Sequence, residues 1–218
     1  MNIDSMELVE EDDSITIAIP KGRVLKQLVP RFEAAGINTE ALTKESRKLI
    51  RSSTTEDGVA LHFLLLKPDD VPTYVEYGAA DLGVVGRDVL LERPYDLYAP
   101  VDLGIGRCKL AVAGKPGFSM ETAKILRVAT KFPTIAAKHF EEKGQPIELI
   151  FVQGSVELAP ITGLADVIVD IVETGKTLRS NGLGVLEDVC EISSLVIANR
   201  VALKLKQKRI RPLLDKLK

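Results

Sequence analysis

The sequence predicts an α/β fold in two lobes, and three observations carry that prediction. Short apolar runs alternate with helical patterns from residue 15 onward, the mark of parallel α/β sheets. Residues 78–82 (GAADL) are echoed at 163–167 (GLADV), and each copy leads into an apolar run and a Gly-containing loop. The 218 residues, 45% hydrophobic and 28% charged, are enough for one large core or two smaller ones.

Residues 1–14 (MNIDSMELVEEDDS) form an acidic leader, expected to be disordered, with no basic start or apolar centre of a signal peptide. A strand at 15–19 (ITIAI) runs into Pro20-Lys21-Gly22-Arg23, and Val24, Leu25, Leu28, Val29 and Phe32 then recur at helical spacing as far as Gly36. Residues 43–50 (TKESRKLI) are basic, 51–57 have the composition of a loop, and 60–66 form a strongly apolar strand. Asp69-Asp70-Val71-Pro72 opens a helix through Tyr74, Val75 and Tyr77. A strand at 82–85, a loop at Gly86-Arg87-Asp88, and strands at 98–103 and 108–113 follow. Lys115-Pro116-Gly117 has the turn chemistry of a crossover between lobes.

The second lobe repeats the alternation: strand 127–129, helix 134–143, strand 148–152 and helix 156–162. In 167–178 (VIVDIVETGKTL) a buried strand ends at Asp170 and a Gly-containing turn leads to a helix start. Strand-like residues return at 189–197, and a basic amphipathic helix spans 201–217, with Pro212 marking a kink or break.

The net charge of −2 and pI of about 5.8 give no positive field for nucleic acid, and 5% aromatics without Trp provide no stacking platform. No apolar run reaches the length of a membrane span, so a cytoplasmic protein without membrane or nucleic-acid partners is expected. Cys108 and Cys190 lie far apart in no metal-ligand spacing, and His62 and His139 are equally isolated. Neither a zinc site nor a nucleophile–His triad has support.

A carboxylate at a strand end, then a Gly loop and a helix N-terminus, suits a sugar phosphate: amides face the phosphate and the carboxylate takes ribose hydroxyls. Gly175-Lys176-Thr177 is not a Walker A loop, because position 170, where that motif needs Gly, is Asp. Gly104-Ile105-Gly106 and Gly182-Leu183-Gly184 lack the third Gly of a dinucleotide fingerprint and read as turns. Asp170 also fits an N-cap or turn former, and Glu173 and Thr174 fit capping residues. Lys21 and Arg23 flank Gly22 directly after the first strand, either as solvated loop charges or as phosphate ligands. Arg47, in Ser46-Arg47-Lys48, has the weaker signal.

Residues 157–178 (ELAPITGLADVIVDIVETGKTL) resemble the signature of the ATP phosphoribosyltransferases at Glu157, Gly163, Ala165, Ile168, Asp170, Ile171, Thr174, Gly175, Thr177 and Leu178. The resemblance extends over nearly the whole chain after the leader, through Pro20-Lys21-Gly22-Arg23, Ser46-Arg47-Lys48-Leu49, Asp70-Val71-Pro72, Ala80-Asp81-Leu82-Gly83 and Gly154-Ser155-Val156-Glu157. It implies two lobes like those of type II periplasmic binding proteins, with the active site in the interlobe cleft. The first lobe would hold residues 15–113 and 196–218, the second 114–195.

The reaction implied is the first of histidine biosynthesis: Mg²⁺-dependent attack of adenine N1 of ATP on C1 of phosphoribosyl pyrophosphate. Pyrophosphate leaves and the anomeric centre inverts. The resemblance puts the 5-phosphate on Glu173, Thr174, Gly175, Lys176, Thr177 and Leu178, and the ribose hydroxyls on Asp170, with Glu157 and Gly22 also in the substrate site. Lys21, Arg23 and Arg47 would hold the polyphosphates; Mg²⁺ would arrive on substrate, with no ligating residue assigned. Ending at Lys218, the chain resembles the short form of the family. It would be a homodimer when alone and would join a regulatory subunit resembling histidyl-tRNA synthetase. Two other readings stay open: a non-catalytic bilobed binding protein, and a phosphoribosyltransferase of the common type, whose loop usually carries two adjacent acids where this one has Asp170-Ile171.

Overall fold

The computed structural model describes residues 14–218. Apart from Ser14, the acidic leader lies outside the described residues. In chain order the elements begin β1 (Ile15–Pro20), α1 (Arg23–Ala34), α2 (Glu40–Thr43), β2 (Ile50–Thr54), β3 (Ala60–Leu66), α3 (Val71–Glu76), β4 (Leu82–Gly86) and α4 (Arg87–Glu92). They continue with β5 (Tyr98–Asp102), β6 (Cys108–Gly114), β7 (Leu126–Thr130), α5 (Pro133–Glu142), β8 (Ile147–Phe151), α6 (Leu158–Thr162), β9 (Val167–Val172) and α7 (Lys176–Ser180). The last are β10 (Gly184–Ile192), β11 (Ser194–Ala198), α8 (Arg200–Leu205) and α9 (Gln207–Leu217).

These elements form two units. The first takes the described residues up to Val85 with Tyr95–Ile105 and Leu195–Lys218; the second takes Gly86–Pro94 and Gly106–Ser194. The division differs from the expected boundary at residue 113, because β6 pairs with β9 and β10 in the second sheet. Lys115-Pro116-Gly117 is accordingly a turn inside the second unit, closed by the Phe118 N–H on the Lys115 carbonyl, and not the crossover.

The first sheet has the order β2-β3-β1-β4-β11-β5 and the second β10-β6-β9-β7-β8. Each contains a parallel trio, β3-β1-β4 and β8-β7-β9, as the strand–helix alternation predicts. Neither sheet is purely parallel, however: β2–β3, β5–β11, β6–β9 and β6–β10 all pair antiparallel. The first core joins Ile17, Ile19, Phe32, Phe63 and Leu82 to the stripe Ile210, Leu213, Leu214 and Leu217 of α9. In the second unit Val167 and Val169 face one core with Phe132 and Phe140, while Ile168 and Val172 face another with Val156, Ala159 and Leu178. That split is the period-two alternation of a strand buried on both faces.

The sequence echo proves to be one structural device used twice. Gly78 and Gly163 both take a left-handed φ (75° and 77°), a conformation that favours glycine. Two residues on, buried Ala80 and Ala165 donate to the carbonyls of Tyr74 and Ala159. The next residue is the hook. Asp81 donates its N–H to the Thr16 carbonyl and takes the Thr16 N–H on Oδ2 at 2.8 Å. Asp166 does the same with Arg127, accepting its N–H at 3.0 Å. Each carboxylate also binds a cation: Lys206 Nζ at 2.9 Å on Asp81, and Arg127 Nη2 at 2.7 Å on Asp166. The Arg127 hydrogen bond holds Asp166 below the usual carboxylate range. Asp81→Ala is expected to cost about 2–3 kcal/mol, since it orphans the Thr16 N–H and takes the carboxylate from a half-buried ammonium at once. A urea midpoint shift equivalent to less than about 0.5 kcal/mol would contradict this.

Four further expectations are corrected. Residues 50–54, expected as basic segment and loop, form β2; their single apolar residue, Ile50, is 61% exposed, so the edge strand left little hydrophobic signal. The expected loop at residues 86–88 instead begins α4 at Arg87, where Asp88 is buried. The 189–197 run is two strands in different sheets, β10 and β11, with β10 starting at Gly184. The C-terminal helix breaks at Lys206 (φ −105°, ψ 23°), whose ammonium also reaches the Ser14 carbonyl, while Pro212 is accommodated inside α9.

Candidate functional site

In the second unit the C-terminal ends of β7 and β9 part company. Their pairing stops at Thr130↔Val169, after which β7 leads through α5 to β8, and β9 leads through α7 to β10 on the opposite side of the sheet. Strand ends that diverge in this way form the crevice where α/β sheets hold ligands. Fully buried Thr130 stitches its rim: Oγ1 donates to the Val169 carbonyl at 2.6 Å and accepts the Phe132 N–H at 2.8 Å.

Asp170 is the first residue of β9 past that stitch. It lies inside the strand, which runs on to Val172, and not at its end as expected. By alternation it shares the face of Ile168 and Val172, the face covered by Leu178 and Ala159. Its Oδ1 accepts the Ile171 N–H at 2.8 Å. Burial, then the charge of Glu157, pushes its carboxyl above the ordinary range, while the Ile171 N–H and Lys131 pull it down. Glu157 heads α6, just after Ser155, which has a left-handed φ of 49°. For a side chain larger than Gly this conformation costs roughly 1–2 kcal/mol.

Past β9, Glu173, Thr174, Lys176 and Thr177 are exposed around Gly175, whose φ of 65° turns the chain into α7. The turn is braced by Arg179: Nη2 donates to the Thr174 carbonyl at 3.0 Å, and its N–H to the Gly175 carbonyl at 3.1 Å. A Cβ at Gly175 would stand 3.0 Å from Arg179 Nη1, so any other residue there would combine backbone strain with a displaced brace. Leu178 is buried in the core, so only its backbone can serve a ligand. The second unit therefore brings together Asp170, Glu157 and the 173–178 loop.

The first unit sets its cations at the equivalent strand ends. Lys21, Gly22 and Arg23 are exposed at the end of β1, and Lys21 donates its N–H to the Leu66 carbonyl at the end of β3. Gly22 (φ 91°, ψ −138°) turns the chain into α1, whose first turn has no acidic residue to offset them. Because β2 runs antiparallel to β3, its start lies at this same end, and the Leu49 carbonyl accepts the Leu65 N–H. Exposed Arg47, two residues earlier, thus leads into β2 at the same end of the sheet at which β1 ends before Lys21.

Two residues were missed in the sequence. Lys131 follows β7 as Lys21 follows β1, so the echo, extended to the strand ends, signals it. Arg179 lies in the last turn of a five-residue helix, where nothing in the sequence marks it as a brace for the loop before it. Asp170 and Glu157 offer the hard oxygen donors that Mg²⁺ prefers, and oxygens of the substrate would have to complete its sphere. Among the described residues no group of three or more His, Cys, Asp or Glu could hold a metal ion by itself. His62 bonds Ser52, and His139 lies beside Glu187, its pKa lowered by burial. No helix of the described residues is long and apolar enough to cross a membrane.

Residues 67–218 match the family model described as HisG: ATP phosphoribosyltransferase. The ATP phosphoribosyltransferase of Sorangium cellulosum (strain So ce56) is 57% identical over 204 residues, covering 94% of either chain. Among solved structures, the ATP phosphoribosyl transferase (HisG:HisZ) complex from Thermotoga maritima superposes with a TM-score of 0.77 at 35% identity, over 93% of this chain and 96% of that one. The VFT2 domain of Bordetella pertussis BvgS superposes with a TM-score of 0.56 at 10% identity, over 94% of this chain and 91% of that one; it shares the fold alone.

Proposed function

The chain belongs to the ATP phosphoribosyltransferase family, and from that premise we propose how its residues divide the work of the reaction. It is a phosphoribosyl-transferring enzyme of the first step of histidine biosynthesis. Phosphoribosyl pyrophosphate lies on the second unit. The 173–178 loop takes its 5-phosphate on backbone N–H groups and the hydroxyls of Thr174 and Thr177, and Asp170 accepts from the ribose hydroxyls. Arg179 keeps the loop open to that phosphate. Lys21, Arg23 and Arg47 hold the triphosphate of ATP and the departing pyrophosphate.

Adenine N1 donates its electron pair to C1 of the ribose. The N1–C1 bond forms as the C1–O bond breaks, the bonding pair leaves on pyrophosphate, and C1 inverts. No protein base is needed, because adenine N1 carries no proton and pyrophosphate is already a good leaving group. What the site must supply is alignment of two polyanions and neutralisation of the charge that grows on the leaving oxygens. Mg²⁺, held on the substrate phosphates and met by Asp170 and Glu157, would supply part of that neutralisation.

The observation that carries the assignment is Asp170 just past the last β7–β9 pairing, beside a loop braced by Arg179. For this chain we also infer a regulatory partner subunit, a reading supported by the similar chain's occurring in a HisG:HisZ complex, together with a homodimeric state when alone and a cytoplasmic site of action. The test is direct. The purified chain with ATP, phosphoribosyl pyrophosphate and Mg²⁺ should form N1-(5-phosphoribosyl)-ATP and pyrophosphate. Transfer to guanine or hypoxanthine in place of ATP, or no transfer at all with both substrates bound, would overturn the reading.

A further inference from the structure

Arg51 is the second residue of β2, in a stretch whose sequence gave no hint of order. In the structure its guanidinium is spent entirely on one segment of backbone. Nη1 donates to the carbonyls of Ala41 at 2.7 Å, Leu42 at 3.2 Å and Lys44 at 3.0 Å. Nη2 donates to Ser46 at 2.9 Å, and Nε to Lys48 at 3.4 Å. A planar fork of five N–H groups is the one side chain that can gather carbonyls spread over residues 41–48.

The gathered segment closes α2 and then carries Lys44, Arg47 and Lys48 through an exposed stretch with no regular structure. Its other fastenings are local or lie at its end: Lys44 to Glu40, the Lys48 N–H on Ser46 Oγ, and the Leu49 carbonyl on the Leu65 N–H. On the same face of β2, Ser53 Oγ donates to the Asn38 carbonyl, so one edge-strand face clamps the whole connection from α1. A basic segment left to itself would spread by self-repulsion. Arg51 adds a cation but places it under the carbonyls, where the charge is attractive.

We propose that Arg51 is a positioning residue for Arg47: it fixes the backbone that presents the Arg47 guanidinium at the rim shared with Lys21 and Arg23. The proposal rests on the reading of Arg47 as a charge-stabilising residue. It makes the two arginines a working pair in which one binds polyphosphate and the other binds the strand of chain that carries it. Lysine cannot replace Arg51, since an ammonium has three donors at a single point.

The experiment combines amide hydrogen exchange with steady-state kinetics on the full chain for Arg51→Ala, Arg51→Lys, Arg47→Ala and the double variant Arg47→Ala/Arg51→Ala. In both Arg51 variants, exchange across residues 41–48 should quicken by about tenfold or more while β1 and β4 keep their protection. kcat/KM should fall by about tenfold or more in Arg51→Ala, and the double variant should be no worse than about twofold below Arg47→Ala alone, because the second change removes an effect already lost. Unchanged exchange, or full activity in a loosened Arg51→Ala, overturns the proposal. So does a double variant whose losses multiply, which would mark Arg51 as a general structural residue. If Arg47→Ala is itself fully active, the Arg47 reading fails and the positioning role falls with it, a result separable from the others because exchange still reports the fastening. Should Arg51→Ala not fold, Arg51→Lys carries the same comparisons.

Discussion

Replacing Arg47 by alanine is expected to lower kcat/KM by about 10²- to 10³-fold, the loss typical when one preorganised donor to developing negative charge is removed. Arg23→Ala should behave alike. Both residues lie in the chain beside the end of the first sheet where β1 and β3 terminate, and the reaction moves a bonding pair onto pyrophosphate, which is already highly charged. If the groups act on that growing charge, kcat should fall; if they only hold the ground state, KM should rise with kcat unchanged. Lysine at either position should recover only part of the loss, because it keeps the charge and loses the bidentate fork. Steady-state kinetics with each substrate varied in turn will measure both. Values of kcat and of both KM within about twofold of the parent would remove these residues from the mechanism.

Asp170→Asn should separate activity from stability. The amide keeps the shape of the carboxylate and loses its charge, so each hydrogen bond from a ribose hydroxyl falls from the charged class, about 1.5–3 kcal/mol, to the neutral one. For two hydroxyls this predicts a loss of about 10- to 100-fold in kcat/KM for phosphoribosyl pyrophosphate. Stability should move the other way. Burial and the charge of Glu157 hold the Asp170 carboxyl above its ordinary range in the folded protein. A raised folded-state pKa means that the fold binds the proton more tightly than the unfolded chain does. The protonated form therefore favours folding, and the ionised form present near neutral pH opposes it. The Asn variant should melt higher than the parent near neutrality, by about 1–4 °C if the relief is up to about 1 kcal/mol. The advantage should shrink as pH falls through the folded pKa of Asp170, where the parent regains its proton. Equal melting temperatures near neutrality, or an advantage that grows in acid, would show that Asp170 is not the strained group described here.

What the sequence made legible follows the physics of burial. Strands such as β3 and β9 stood out because they are mostly apolar, with Leu61, Phe63 and Leu65 buried on one face of β3 and Val167, Ile168 and Val169 buried on both faces of β9. The Asp-hook was visible as a five-residue echo because buried Ala, a left-handed Gly and a paired Asp each tolerate few replacements. Strand β2 was invisible because it lies at a sheet edge with polar residues on both faces. Helix α4 was hidden for a similar reason: Gly86-Arg87-Asp88 has loop composition, and its helical pattern is one turn and a half long. The lobe boundary was misplaced because Lys115-Pro116-Gly117 has the composition of a linker, while the chain passes between the units at residues 85–86, 94–95, 105–106 and 194–195.

The candidate site divides along the same line. Lys21, Gly22 and Arg23 were legible in their place because β1 ends directly before them, whereas Asp170, read as a strand end, lies inside β9, whose apolar residues continue past it. Leu178 was read as part of a phosphate loop, yet its side chain is a core residue that anchors α7. Arg51 and Arg179 escaped because what they bind is backbone carbonyl, and a carbonyl leaves no trace in a sequence.

The hook at Asp81 reaches Thr16 early in the chain and Lys206 near its end, and Lys206 in turn touches Ser14. During synthesis, then, the ribosome begins the first unit and cannot complete it until the last helices emerge. By Ser194 every strand of the second sheet has been made, while the first sheet still lacks β11 and its core still lacks α9. The unit that starts first is the one that finishes last.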